Sequence, residues 1–363
     1  MAEPSLPPLR DLILERLDSG STPGERTDDY RVVLAVEGGG MRGAVSSGML
    51  LTLEQLGLRN SFDAVVGTSA GAIAGAFFVT GQGTSGSVLY YTVLNSERFM
   101  DRRRLLRDRP IMDLDYLIDE ALDRHGFDWG DLVNSDMPIW ATVTPVDRGN
   151  TTRLFEVGVS EDHARRVLAA TASLPVIAGP SRFVDGQAYV DGGMLEAVPW
   201  SSAIDVGATH VLVIRSRGFG TGGKPEPQNF FERTTVPRLV KRIHNDYVAE
   251  VVSESTERFW NTTEGLRAIV KGEATPLASN GRPVVVDAVI PDAATDLPER
   301  LEVDTHVLMD ALTAGAQAMI DYLDLDGFAV EQRVVVTHPR APVGSVRTTA
   351  LAPIVSTRRK SPR

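Results

Sequence analysis

Gly67-Thr68-Ser69-Ala70-Gly71 has the residue types and spacing of a serine nucleophile on a tight strand-to-helix turn. Such a serine sits in a strained backbone with its oxygen exposed. Glycines at Gly67 and Gly71 let two backbones approach where a larger side chain would collide. The helix opening behind Ser69 points its first N–H groups at the site, which favours developing negative charge. A serine hydroxyl attacks a carbonyl only when a neighbour takes its proton and donors receive the oxyanion, so two further groups are needed.

The first candidate is the loop Gly38, Gly39, Gly40, Met41, Arg42 and Gly43. Amides in a glycine-rich turn cradle an anion, and Arg42 adds positive potential or orients the loop. The loop reads as an oxyanion hole if it shares a sheet edge with Ser69. It also satisfies the spacing of a dinucleotide fingerprint, G-x-G-x-x-G. That reading expects an acid at the end of the second strand, whereas here Asp63 precedes that strand and Gly67-Thr68-Ser69 ends it.

The second is a base. Six histidines are available: His125, His163, His210, His244, His306 and His338. None has a recognisable catalytic setting. Asp191, at the end of a short apolar run and followed by Gly192 and Gly193, is better placed. The glycines allow a second loop or a substrate to come close, and partial desolvation would raise the carboxylate's pKa into a useful range. An ordinary Asp-Gly turn is the alternative meaning of the same residues.

These residues need a scaffold. Apolar, β-branched runs at 31–36, 64–66, 138–144, 188–191, 210–215 and 284–291 read as strands, with a weaker one at 152–157. Helical patterns at 44–56, 70–79, 163–172, 200–206 and 306–322 alternate with them, and residues 81–130 read mainly as helices and loops. This rhythm predicts α/β architecture with a mostly parallel sheet covered by helices. A further helix is expected at 9–17 and a long amphipathic one at 237–260, with Ile243, Val248, Val251, Val252 and Phe259 on its apolar face. A Gly/Pro-rich loop at 216–227, followed by Asn229-Phe230-Phe231, reads either as a lid or as aromatics returning to the core. The expected division is an N-terminal extension (1–30), one catalytic domain (31–330) and a basic, proline-rich C-terminal tail (331–363) that frays.

Bulk properties narrow the function. The 363 residues are 42% hydrophobic and 23% charged, an ordinary globular composition, and contain no cysteine. Disulfides, thiolate zinc sites and cysteine nucleophiles are therefore excluded, and a reducing compartment fits. A formal charge of -11 argues against nucleic acid as a partner. No window reads as a signal peptide or a membrane span, so a soluble, cytoplasmic protein is expected. The basic cluster Arg102, Arg103, Arg104, Arg107 and Arg109 reads as a solvated face or as a contact for lipid headgroups.

Three segments in order, Glu37-Gly-Gly-Gly-Met-Arg-Gly43, Gly67-Thr-Ser-Ala-Gly71 and Asp191-Gly-Gly193, together resemble the patatin-like phospholipase family. Arg109-Pro-Ile-Met-Asp113, Ala141-Thr-Val-Thr144 and Ala172-Ser-Leu-Pro175 add to the likeness, which spans about 32–214. The resemblance implies a three-layer α/β/α sandwich and a Ser69–Asp191 dyad in place of a triad. It also implies an oxyanion hole from the Gly38–Gly43 loop, and a lipid or phospholipid substrate whose acyl ester is hydrolysed, with transient contact at a membrane surface. Neither metal nor cofactor is implied. The segment Val176-Ile-Ala-Gly-Pro180 is less aromatic than the family's pattern, which bears on acyl-chain preference. A Ser-His-Asp esterase and a dinucleotide- or anion-binding protein remain the competing readings of the residues. The sequence leaves the oligomeric state open.

Overall fold

The computed structural model describes residues 6–147, 149, 151–219, 238–292, 295, 297–337 and 349–357. Eight helices matter for the site: α1 (Leu9–Asp18), α2 (Gly43–Gln55), α3 (Ala70–Val79), α4 (Gly83–Thr92), α5 (Glu161–Thr171), α6 (Trp200–Asp205), α7 (Asp246–Val270) and α8 (Thr305–Leu323). The strands are β1 (Val32–Val36), β2 (Ala64–Thr68), β3 (Ile139–Pro145), β4 (Arg153–Glu156), β5 (Arg182–Val184), β6 (Gln187–Asp191), β7 (His210–Ile214), β8 (Val285–Val289), β9 (Phe328–Val336) and β10 (Thr349–Thr357).

One eight-stranded sheet runs β5-β6-β3-β2-β1-β7-β8, with β4 also paired to β3. From β3 to β8 the neighbours along this order are parallel. β4 and β6 both run antiparallel to β3 and divide its free edge between them. Every β1 residue is buried, which suits a central strand covered on both faces. Its side chains alternate between two cores. Val32, Leu34 and Val36 join Met49, Leu312 and Met319, from α2 and α8. Val33 and Ala35 join Ala203 of α6 and Leu266 of α7. Helices thus cover both faces of a mostly parallel sheet, the three-layer α/β/α arrangement.

Two local expectations are corrected. The long helix expected over 237–260 starts at Asp246 and runs ten residues further, to Val270. The Asn245 side chain accepts from Val248 N (2.8 Å) and caps it there, and residues 238–243 form a separate helical turn on which Ile243 is exposed. The tail expected to fray past Gln332 includes an antiparallel β9–β10 ribbon. It docks on α2, where Gln55 bonds Pro353 O (3.1 Å) and Val355 N (2.8 Å) and Ala352 is buried. Strand β5, for which the sequence offered no expectation, pairs with β6. The lid expected around 229–231 lies outside the described residues, as does His338.

The N-terminal segment is tied to the sheet. Arg16 of α1 is buried and donates to Asp28 (2.7 Å) and Asp63 (2.8 Å), while Asp63 accepts from Val32 N (2.7 Å). The acid just before β2 therefore anchors α1 and β1.

Candidate active site

β1 and β2 are adjacent and parallel, with Val36 opposite Gly67. Their C-terminal loops, the glycine turn and the serine turn, therefore leave the same sheet edge side by side. Ser69 has φ 54° and ψ -125°, a strained conformation for a residue with a side chain. Packing holds it there. Ser69 N donates to Thr171 Oγ1 (2.8 Å), which in turn donates to the Thr142 carbonyl (2.7 Å). α3 starts at the next residue and crosses close to β1. A Cβ at Gly71 would lie 2.4 Å from the Val36 carbonyl oxygen, so only glycine permits the turn.

Asp191 arrives from the other side. β3 pairs in parallel with β2 (Thr142 opposite Thr68) and antiparallel with β6 (Val143 opposite Asp191), so the register brings the end of β6 beside the end of β2. The main chain of Asp191 is fixed by its N–H to Ser173 O (3.0 Å) and by Thr144 Oγ1 donating to its carbonyl (2.9 Å). The chain then turns at Gly192, where a Cβ would meet the Thr142 carbonyl oxygen at 2.3 Å.

The two side chains meet. Ser69 Oγ donates to Asp191 Oδ2 over 2.7 Å, and Gly193 N donates to Asp191 Oδ1 over 2.7 Å. Asp191 is 4% exposed. Burial raises its carboxyl to about 6; the hydrogen bonds from Ser69 and Gly193, and the charge of Arg300, pull the other way without cancelling it. The result is a carboxylate more basic than one in water, in contact with a hydroxyl.

The glycine turn is more selective than its sequence suggests. Gly38 N donates to Ala197 O (3.0 Å), Met41 N to Arg300 O (3.1 Å) and Arg42 N to Gly39 O (3.4 Å), while Gly43 N caps the 3-10 turn Gly40–Arg42. The N–H groups of Gly39 and Gly40 have no backbone acceptor among the described residues. Of the six residues expected to build an anion cradle, the amides of the other four are taken by backbone carbonyls.

Ser69, Asp191 and Gly38 to Arg42 open into one cavity of about 250 Å³. Its far wall is apolar, with Ile73, Phe77, Leu89, Phe99, Met112 and Leu114. Gly67 lies within β2 behind Ser69, and Gly193 borders the cavity beside Asp191. No histidine lines this cavity among the described residues. His210 is engaged by Thr209 Oγ1 (2.9 Å) and Pro7 O (3.1 Å), and His163 lies 3.8 Å from Asp185. Nor do the described residues hold a cluster of side chains able to bind a metal ion.

Sequence reasoning missed the group behind the glycine turn. β1 and β7 are adjacent, so Glu37 and Arg215, each just past its strand, meet as a fully buried pair (2.8 Å). Ser216 N (2.9 Å) and Arg217 Nε (3.2 Å) also reach Glu37. Burial alone would raise the Glu37 carboxyl, but Arg215 and Arg217 outweigh it and hold the group below its ordinary value. Arg217 and Arg300 border the cavity as well. Single arginines on loops carry no spacing signal, so only strand order could have pointed to them.

The family to which the sequence is similar agrees with the architecture. Residues 34–204 match the family model described as patatin-like phospholipase. The uncharacterized protein YjjU of Escherichia coli (strain K12) is 26% identical over 205 residues, 51% of this chain and 52% of that protein. Neuropathy target esterase sws of Drosophila melanogaster is 26% identical over 188 residues, 50% of this chain and 12% of that protein. The chain therefore spans about half the length of the first relative and about an eighth of the second. Among solved structures, VipD from Legionella pneumophila aligns with a TM-score of 0.40 at 14% identity, covering 84% of this chain and 69% of that one.

Proposed function

Because residues 34–204 belong to the patatin-like phospholipase family, a family of lipid acyl hydrolases, we propose that this chain hydrolyses the carboxylic esters of lipids with Ser69 as nucleophile and Asp191 as base. The observation that carries the assignment is the 2.7 Å hydrogen bond from Ser69 Oγ to Asp191 Oδ2 at the polar end of an apolar cavity.

On this reading the reaction has two halves, acylation and hydrolysis. Ser69 Oγ bonds to the ester carbonyl carbon as its proton passes to Asp191 Oδ2. The carbonyl oxygen becomes an oxyanion and turns to the free amides of Gly39 and Gly40. The tetrahedral carbon then expels the alkoxy oxygen, which takes the proton from Asp191. Water, deprotonated by the same carboxylate, attacks acyl-Ser69, and the collapse releases a carboxylic acid and restores the serine. The acyl chain lies along Ile73, Phe77, Leu89 and Met112, where its methylenes leave water. The catalytic unit on this reading is 31–330, since Arg217 and Arg300 border the same cavity from beyond the matched segment.

Substrates of this class reside in membranes, and no helix among the described residues is long and apolar enough to cross one. The contact face is the 3-10 turn Arg102–Arg107, which carries Leu106 at 88% exposure and Leu105 at 43% among arginines. The chain flanking this turn, at Phe99 and Met112, lines the cavity. Exposed leucine ringed by cations suits an anionic lipid surface.

The test is covalent labelling by a fluorophosphonate, together with mass spectrometry of fatty acids released from a mixed lipid extract. Labelling of the wild type that disappears in Ser69→Ala, with fatty acid release lost in parallel, is expected. Undiminished labelling of Ser69→Ala would overturn the assignment.

A further inference from the structure

Four threonines are fully buried around the Ser69–Asp191 pair: Thr68 on β2, Thr142 and Thr144 on β3, and Thr171 at the end of α5. Valine has nearly the same shape and would bury in each place without a polar group to satisfy. Each hydroxyl instead has a defined partner. Thr68 Oγ1 lies 2.7 Å from Thr142 Oγ1 and donates to Glu196 O (2.9 Å). Thr144 Oγ1 donates to the Asp191 carbonyl (2.9 Å). Thr171 Oγ1 accepts from Ser69 N (2.8 Å) and donates to the Thr142 carbonyl (2.7 Å), so it works in both senses at once.

Thr171 differs from the other three because its hydroxyl bonds the nucleophile's own amide. The carbonyl of Ser69 is held by α3, where it accepts from Ala72 N (2.9 Å) and Ile73 N (3.3 Å). The φ of Ser69 relates the peptide plane that carries its amide to the plane that carries its carbonyl. A φ of 54° with ψ -125° persists in a residue with a side chain only where the surroundings hold both planes. Helix α3 holds one and Thr171 the other. A relaxed φ would re-aim Oγ away from Asp191, and proton transfer requires hydrogen-bond reach. The same segment touches the base: two residues on, the Ser173 carbonyl accepts from Asp191 N (3.0 Å). Residues 171–173 therefore bond both partners, while Ala172 and Leu174 line the cavity.

We propose that Thr171 is a positioning residue for acyl transfer: its hydroxyl, bridging Ser69 N to the Thr142 carbonyl, holds the strained turn at which Ser69 Oγ meets Asp191. This role rests on the acyl-hydrolase reading. Thr171 itself touches no reacting atom, and its hydroxyl stays neutral across the working pH range.

The test deletes the hydroxyl in the full-length chain. Thr171→Val is expected to lower kcat for p-nitrophenyl butyrate by about 10- to 100-fold, with KM within about twofold of wild type. Thr171→Ser, which keeps the hydroxyl, restores most of the loss. The acid limb of log kcat/KM moves to higher pH in Thr171→Val, because the Ser69 hydrogen bond that lowers the Asp191 carboxyl is lost while Gly193 N and Arg300 still act on it. Thr52 is equally buried and donates to Gly48 O (3.0 Å) within α2, so Thr52→Val controls for loss of a buried hydroxyl and keeps wild-type kcat. Unfolding midpoints are measured for every variant, and Thr171→Ala is the second deletion if the valine variant does not fold. A deletion variant with kcat within about twofold of wild type overturns the proposal. So does an equal loss in Thr171→Ser, which would assign the effect to shape. A crystal structure of the deletion variant decides the role independently of turnover: the Ser69–Asp191 contact is expected to open beyond about 3.5 Å. A contact that stays at 2.7 Å overturns the proposal. Absence of ester turnover in the wild type would sink the hydrolase reading alone.

Discussion

Ser69 Oγ and Asp191 Oδ2 lie 2.7 Å apart although 122 positions separate the two residues in the chain. The hydroxyl bonds one carboxylate among the described residues, and the second oxygen of that carboxylate is fixed by Gly193 N at 2.7 Å. If this contact drives proton transfer, removing either partner removes the chemistry. Ser69→Ala is expected to lower kcat for p-nitrophenyl butyrate by at least about 1000-fold, and Asp191→Asn by a comparable factor. Steady-state kinetics on the two folded variants checks this. Residual activity within tenfold of wild type in Asp191→Asn would remove the aspartate from its role as base.

Asp191 also sets the pH dependence. Burial raises its carboxyl to about 6, and only the ionised form accepts the Ser69 proton. Log kcat/KM is therefore expected to climb with unit slope as pH rises toward about 6, then level off. A histidine base would give a similar limb, so the profile is read together with single His→Gln replacements of His125, His163, His210, His244, His306 and His338, none of which should abolish the activity.

The same burial carries a stability cost. The folded-state pKa of Asp191 lies above that of an unfolded aspartate, so the unfolded chain is the more ionised state between about 4 and about 6. The contribution of this residue is greatest below the unfolded value and is lost as pH rises through the folded one. Asp191→Asn, which removes the buried charge and retains a polar partner for Ser69, should stabilise the protein at pH 8 by about 1–3 kcal/mol. Urea unfolding at pH 8 and at pH 4.5 measures it, with the gain shrinking at the lower pH.

The buried Glu37–Arg215 pair should behave oppositely. Both side chains are fully excluded from solvent, and Glu37 also receives Ser216 N and Arg217. Removing the carboxylate leaves guanidinium charge buried without its partner, so Glu37→Gln is expected to destabilise by about 3–5 kcal/mol. Thermal unfolding reports this directly.

Leu106 offers a test on the surface. At 88% exposure it contributes little to folding, so Leu106→Asp should leave the unfolding midpoint within error. On anionic vesicles, loss of one buried leucine is expected to lower the ratio of vesicle to monomeric-ester turnover by about tenfold. An unchanged ratio would place the membrane contact elsewhere.

The sequence by itself determined what is local. Runs such as Val32–Val36 and Ala64–Thr68 are β-branched, apolar and stopped by glycine, so strand, turn and helix could be read from neighbouring residues. The glycines at Gly71 and Gly192 marked turns where backbones nearly touch. Local patterns failed where tertiary contacts compete with them. Ribbon β9–β10 is ordered by its docking on α2, and the start of α7 by a single Asn245 cap.

The tertiary structure alone decided which loops share a space. Strand order β3-β2-β1-β7, with β6 antiparallel to β3, brings Asp191 to Ser69, Glu37 to Arg215, and Arg217 and Arg300 to the cavity mouth. It also spends four of the six glycine-turn amides on internal partners, while those of Gly39 and Gly40 have no backbone acceptor among the described residues. Spacing along a chain records the φ and ψ needs of adjacent residues. It carries no record of the strand register that sets distances between residues a hundred positions apart.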